Sequence, residues 1–147
     1  TSSLEKLTRW ARSSSLWYLE VGGGCCASEV FSCESSRYDI ERFGCLPQES
    51  PKHADVLIVT TAVNEKLGEE IKKIYDQMPE PKYVMSVGTC SNCGGPFRTK
   101  AGYAVRGGLD QYIPVDVFVP GCPPRPEAIM NGIIRLQEKI HGHSKSQ

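Results

Sequence analysis

The chain has 147 residues, and its 17 Lys and Arg balance 17 Asp and Glu, so the formal charge is zero. That balance excludes a protein held on nucleic acid by counterion release, which needs a cationic surplus. Hydrophobic residues at 39% and charged residues at 23% suit one packed core of domain size and exclude wholesale disorder, and no apolar run is long enough to span a bilayer.

In chain order, Leu4, Leu7, Trp10 and Ala11 share one helical face beside Lys6, Arg9 and Arg12, which predicts a basic amphipathic helix within residues 1–15, ended by Ser13-Ser14-Ser15. Such a helix suits a membrane surface or the face of a partner subunit. Leu16 to Val21 is strand-like and runs into Gly22-Gly23-Gly24. Ala54 to Thr61 carries a continuous apolar run, the mark of a parallel strand covered on both faces. Asn64 is placed to cap a helix whose apolar positions are Leu67, Ile71, Ile74, Tyr75 and Met78, stopped by Pro79 and Pro81. Tyr83 to Val87 and Val115 to Val119 are two further buried strands. Pro126 opens a last helix with Ile129, Ile133, Leu136 and Ile140 on its inner face. Residues 141–147 form a polar tail in which His141 and His143 read as a solvated terminus. The order is a run of βα units, hence an open parallel sheet flanked by helices, formed by a single domain over residues 16–140.

In such sheets ligands sit beyond the carboxyl ends of the strands. Three of the four predicted strands end in cysteine: Cys25-Cys26 after the first, Cys90 after the third and Cys122 after the fourth. Each is reached through glycine. Seven cysteines, an odd number with two adjacent, do not read as a disulfide framework, which a domain of this length does not need. Four at strand ends point to a metal site. Adjacent cysteines in a strand would face opposite ways, so both reach one site only where the backbone turns sharply. Zinc is the competitor to an iron–sulfur cluster, because Cys90-Ser91-Asn92-Cys93 has the spacing of half a Cys₄ site, yet a second such pair is missing. Cys33 and Cys45 read as packing residues, and Cys93 stays open at this point.

Several long motifs carry a resemblance. They are Trp17-Tyr18-Leu19-Glu20-Val21-Gly22, Cys25-Cys26-Ala27-Ser28-Glu29, Ser36-Arg37-Tyr38-Asp39-Ile40-Glu41-Arg42-Phe43-Gly44, Gln77-Met78-Pro79-Glu80-Pro81-Lys82, Gly88-Thr89-Cys90, and Pro114 through Pro124. In this order they resemble the 20 kDa, PSST-type component of respiratory complex I, a family that includes the small subunits of membrane-bound NiFe hydrogenases and their relatives. The resemblance implies a flavodoxin-like α/β fold with a terminal [4Fe–4S] cluster at the carboxyl ends of the strands. Carried over, the ligands are Cys25, Cys26, Cys90 and Cys122, and Cys93 is not one. It further implies a peripheral place on the cytoplasmic face of an ion-pumping membrane complex. There the chain would meet a large catalytic subunit, a ferredoxin-like iron–sulfur subunit and membrane subunits.

An acceptor pocket shared with the large subunit is implied, with Glu29 on its floor and Arg37, Asp39 and Arg42 at its entrance. The tandem Cys25-Cys26 resembles the quinone-reducing branch. By contrast, Gly22-Gly23-Gly24, Ser91 to Gly95 and Pro123 to Pro126 are similar to archaeal relatives such as methanophenazine and sulfane sulfur reductases. The resemblance thus implies a quinone-type acceptor, with the same electron-relay role in a sulfane sulfur reductase or a NiFe hydrogenase as the alternative. An interaction protein built on structural zinc is the alternative of a different class.

Overall fold

The computed structural model describes residues 3–98 and 104–142. Its strands are β1 (Leu16–Val21), β2 (Cys45–Pro47), β3 (Val56–Val59), β4 (Tyr83–Val87) and β5 (Val117–Val119); its α-helices are α1 (Ser3–Ser14), α2 (Gly24–Glu34), α3 (Glu65–Gln77), α4 (Gly88–Cys93) and α5 (Pro126–His141). All strand pairs are parallel and the order is β2-β1-β3-β4-β5. That is the flavodoxin-like doubly wound order, in which the connections reverse direction between β1 and β3.

Alternation along the strands divides the apolar side chains between two layers. Ile58, Met85, Val117 and Val119 face α2 and α5, where Val30, Ile129, Ile133 and Leu136 complete one core. Leu57, Val59 and Val84 point the other way, toward Ile71 of α3 and toward Leu109 and Ile113. The continuous apolar run in β3 is thus explained by burial on both faces, and all four of its residues are buried. Asn64 caps α3 as its sequence position predicts, its Oδ1 accepting from the Leu67 amide at 2.7 Å.

Three elements lie outside the sequence expectations. The segment after the triple glycine is a helix, α2, the Cys90 segment is the short helix α4, and the short edge strand β2 pairs with the start of β1 through Leu16 and Cys45. The amphipathic α1 forms, but its apolar side does not enter the core: Leu4, Leu7 and Trp10 are exposed, and only Ser13 is buried. Ser13 holds the helix to α5 through a 2.6 Å contact with His141 Nε2, and Gln137 Nε2 donates to the Ser13 carbonyl at 2.9 Å. Within the predicted polar tail, residues 143–147 lie outside the described residues, and His141 is the last residue of α5.

Candidate metal centre

β1, β4 and β5 all deliver their loops to the same, carboxyl-terminal edge of the sheet, and those loops carry Cys25 and Cys26, Cys90, and Cys122. Gly22 and Gly23 turn the chain out of β1, and α2 begins at Gly24. The two adjacent cysteines therefore occupy the first turn of a helix instead of opposite faces of a strand. Cys25 is exposed there and Cys26 buried. The start of a helix is a favourable place for thiolates, because unpaired amides and the helix dipole present positive potential.

The other two loops are tied to the first and to each other. Both the amide and the hydroxyl of Thr89 donate to the Gly121 carbonyl, each at 2.8 Å, which joins the Cys90 loop to the Cys122 loop. Asn92 Nδ2 donates to the Val119 carbonyl at 3.1 Å, and Ser86 Oγ donates to Asn92 Oδ1 at 2.6 Å beneath α4. Gly88 adopts φ +86, and a Cβ placed on it would lie 2.4 Å from Cys26 Sγ. Only a residue without a side chain lets β4 pass this close to the thiol.

Cys25, Cys26 and Cys90 line one cavity of about 710 Å³ together with the glycine loop, Thr60, Thr61, Leu67 and Phe97. Burial pushes the Cys26 thiol up to about 12, with further contributions from Cys25, Cys90 and Cys122. Burial likewise raises the Cys90 thiol, followed by the charges of Cys122, Cys25 and Cys93. Cys25, Cys90 and Cys122 lie close enough to Cys26 to disfavour its ionisation. A donor set of that kind fits a cationic core, which alone would let them become thiolates together. Among the described residues, no three His, Cys, Asp or Glu side chains converge on a site for a single metal ion.

The remaining cysteines fall elsewhere. Cys33 and Cys45 are buried, and burial pushes their thiols up to about 12 and about 11. Cys93 is exposed, and its Sγ donates to the Thr89 carbonyl at 3.4 Å.

Glu29 is half-buried on α2, one turn beyond Cys25 and Cys26. Arg37, Asp39 and Arg42 are exposed in the connection between α2 and β2, and α2 runs the length of the sheet before that connection begins. Eleven residues of helix at about 1.5 Å each put this connection roughly 15 Å from the thiols. Its last residue, Gly44, accepts from the Leu16 amide at 2.8 Å, at the amino-terminal end of β1. Arg37 lies over the Tyr38 ring at 5.7 Å and Arg42 over the Phe43 ring at 5.0 Å. Arg42 lines a separate cavity of about 490 Å³ with Ser13 and His141. The structure thus groups the four cysteines and Glu29 at one edge and the other three residues at the opposite edge. Thr60, Thr61 and Leu67, which line the cysteine cavity, have no signal in the sequence, because they reach it from β3 and α3.

A doubly wound parallel sheet that gathers thiols from three loops at its carboxyl edge defines an α/β protein with a candidate metal centre at that edge. A profile of the family described as NADH ubiquinone oxidoreductase, 20 Kd subunit, matches residues 24–136. The chain is 54% identical over 138 residues to an NADH-quinone oxidoreductase chain of the B type from Amoebophilus asiaticus (strain 5a2), covering 94% of this chain and 86% of that protein. It is 55% identical over 140 residues to a chain of the same name from Anaeromyxobacter sp. (strain Fw109-5), covering 95% and 80%. Among solved structures, a chain of the membrane-bound sulfane sulfur reductase, an archaeal respiratory membrane complex, superposes with a TM-score of 0.86 at 41% identity, over 95% of this chain and 78% of that one. An actinobacterial-type NiFe-hydrogenase from Ralstonia eutropha H16 shares the fold, with a TM-score of 0.62 at 20% identity over 88% and 55% of the two chains. The protein belongs to the NADH ubiquinone oxidoreductase 20 Kd subunit family, a family of oxidoreductase subunits.

Proposed function

We propose that this chain is the terminal electron carrier of a complex I-like respiratory complex, and that Cys25, Cys26, Cys90 and Cys122 hold a [4Fe–4S] cluster. When bound, such a cluster supplies a one-electron couple whose potential depends on its ligands, its hydrogen bonds and its exposure. The observation that carries this reading is the tethering of three cysteine loops at one sheet edge, Thr89 to Gly121 and Gly88 against Cys26. A tandem Cys25-Cys26 joined by Cys90 and Cys122 from two further loops, without a second CxxC pair, suits a multi-atom cage better than one zinc ion. The chain's own contribution is positional. Stiff loops fix the sulfurs, and the burial of Cys26 beside the exposed Cys25 makes one side of the site dry and leaves the other open to a partner.

On this reading the partners are a large catalytic subunit, a ferredoxin-like donor subunit and membrane subunits of an ion-pumping complex, with the chain peripheral at the cytoplasmic face. Among the described residues no helix is long and apolar enough to cross a membrane. The acceptor is a quinone, as the names of the NADH-quinone oxidoreductase relatives suggest. The 41% identity to the sulfane sulfur reductase chain favours a sulfur acceptor as the second reading. Glu29, on the same helix as Cys25 and Cys26, is placed to handle protons at the acceptor. Arg37, Asp39 and Arg42, a helix length away, would meet the acceptor's entry route or the partner and not the reacting end.

The complex isolated without oxygen is expected to hold about four iron atoms per copy of this chain, beyond those of other subunits, with broad visible absorption that bleaches on reduction. Zinc without colour would refute the assignment. Glu29→Gln is expected to lower turnover of the whole complex by about a hundredfold or more with iron content unchanged, in the range for a positioned proton donor. Unaltered turnover would remove Glu29 from proton handling.

A further inference from the structure

Cys90 and Cys93 both belong to α4, at the exit of β4, and only the first is in the proposed cluster set. Residues three apart lie on one helical face, with Cβ atoms about 5–6 Å from each other. Cys93 Sγ donates at 3.4 Å to the carbonyl of Thr89, the peptide group that leads directly into Cys90. The chain after Cys93 then doubles back. Gly94 and Gly95 take φ +86 and φ +50, and a Cβ on Gly95 would lie 3.4 Å from Cys90 Sγ. The Cys90 thiol is thus flanked by Cys93 on its own helix and by the glycine turn that follows.

A disulfide needs Cβ atoms about 3.5–4.5 Å apart, so joining the pair requires the end of α4 to tighten by about 1–2 Å. Little resists that shift. α4 has six residues, too few for cooperative helix stability of its own. The bonds from Thr89 to Gly121 and from Asn92 to Val119 anchor the helix to the neighbouring loop, and the two glycines after Cys93 absorb a change in backbone angle. The other thiols of the site are poorer partners for Cys90. Cys26 is buried, Cys25 follows it on another element, and Cys122 stands on a separate loop. A CxxC pair directly after a strand of a parallel sheet is an arrangement that cycles between dithiol and disulfide. Cys93 is exposed and Cys90 partly buried, so an oxidant from solution meets Cys93 first.

We propose that Cys90 and Cys93 form a reversible disulfide in the cluster-free chain, with Cys93 as the entry point for the oxidant and Cys90 withdrawn from ligation while the bond lasts. The inference rests on the assignment of Cys90 as a ligand and gives a role to Cys93, which that assignment leaves unused. The co-reactant is a low-molecular-weight disulfide. The Cys93 thiolate attacks one of its sulfurs, its S–S bond breaks, one small thiol departs, and a mixed disulfide remains on Cys93. The Cys90 thiolate then attacks the Cys93 sulfur and releases the second small thiol. Two protons and two electrons leave the pair and appear in the two small thiols. A thiol reductant reverses both steps and returns Cys90 to the cluster site. In the loaded chain the Cys90 sulfur is already engaged, and the second step has no nucleophile.

The test uses the whole complex, with its iron stripped by a chelator under a thiol reductant that is then removed. The complex is exposed to oxidised glutathione, alkylated and digested for mass spectrometry. Trypsin leaves both cysteines on one peptide, residues 83–98, between the cleavage sites at Lys82 and Arg98. In the stripped complex this peptide is expected to become lighter by two hydrogen atoms and to lose both alkyl labels, and dithiothreitol is expected to return them. The loaded complex under the same glutathione is expected to yield no such peptide. Cys93→Ser changes an exposed position and tests the entry role: Cys90 is expected to take up glutathione severalfold more slowly than the wild-type pair oxidises. Equal rates overturn the proposal. So do glutathione adducts on both cysteines of the stripped wild type without the light peptide, or Cys90 joined to Cys26 or Cys122 instead. A light peptide from the iron-loaded complex overturns it as well. An untreated complex without this chain's iron refutes the cluster assignment instead, and iron analysis before stripping separates the two failures.

Discussion

Replacing Cys122 by Ala is expected to remove this chain's iron, from about four atoms per copy to near none, while the subunit stays folded. Cys122 is exposed, so losing its sulfur opens no void in the core. Its loop is held from the other side by the bonds of Thr89 to Gly121, which the substitution leaves in place. A missing cluster signal would thus report a missing ligand. Cys33→Ala gives the contrast. That thiol is fully buried and donates to the Glu29 carbonyl at 3.2 Å, and burial pushes it up to about 12. It behaves as a small packed side chain, so its loss is expected to cost about 1 kcal/mol of stability and no iron. Cys93→Ala, beside Cys90 yet outside the proposed set, is expected to keep full iron as well. Equal iron loss in all three variants would refute the ligand assignment, and metal analysis on the purified complexes reads the difference.

Gly88→Ala is the second large effect. The glycine has φ +86, a conformation that a residue with a Cβ adopts at a cost of about 1–3 kcal/mol. The new methyl would also lie 2.4 Å from Cys26 Sγ, so either the thiol or the β4–α4 turn must move. We expect a melting temperature several degrees lower, since about 1 kcal/mol shifts a domain of this size by about 3 °C, together with loss of most of the iron. Gly23→Ala is the matched control: Gly23 is in extended backbone, and a Cβ there meets nothing within 4 Å. Its iron content and melting temperature are expected to stay at wild-type values. Full iron at unchanged melting temperature in Gly88→Ala would show that the close passage of β4 by Cys26 does not shape the site.

The acids Glu29 and Glu20 differ in what the chain provides around them. Glu29 sits on the helix that carries two of the thiols, and its place near them follows from short sequence separation. Glu20 acquires its character from residues far off in sequence: Thr60 by hydrogen bond, Glu34 by charge, and Tyr18 by fixing Glu34. A carboxylate in a strand that alternates between two covered faces is costly unless it is paired, and here the pairing is a single hydroxyl.

Much of the framework was legible from one-dimensional pattern because the physics that sets it is local. Val56 to Val59 is apolar throughout because both faces are covered, Asn64 caps α3 with its own side chain, and Pro126 opens α5 where a missing amide matters least. The cysteines announced a common edge because loops after parallel strands must emerge together. Four things were settled only by the folded chain. The helix α2 was invisible because it starts on glycines and has little amphipathic character, its buried side being Cys26, Ala27, Val30 and Cys33. The three-residue strand β2 ends in Pro47 and exists only because β1 offers it an edge. The distance of Arg37, Asp39 and Arg42 from the thiols depends on the run of α2, and the Glu20–Thr60 pairing depends on the register of β1 against β3. Periodicity tells which side of a segment is covered; which distant residue does the covering is set by register and crossover, and these are properties of the whole sheet.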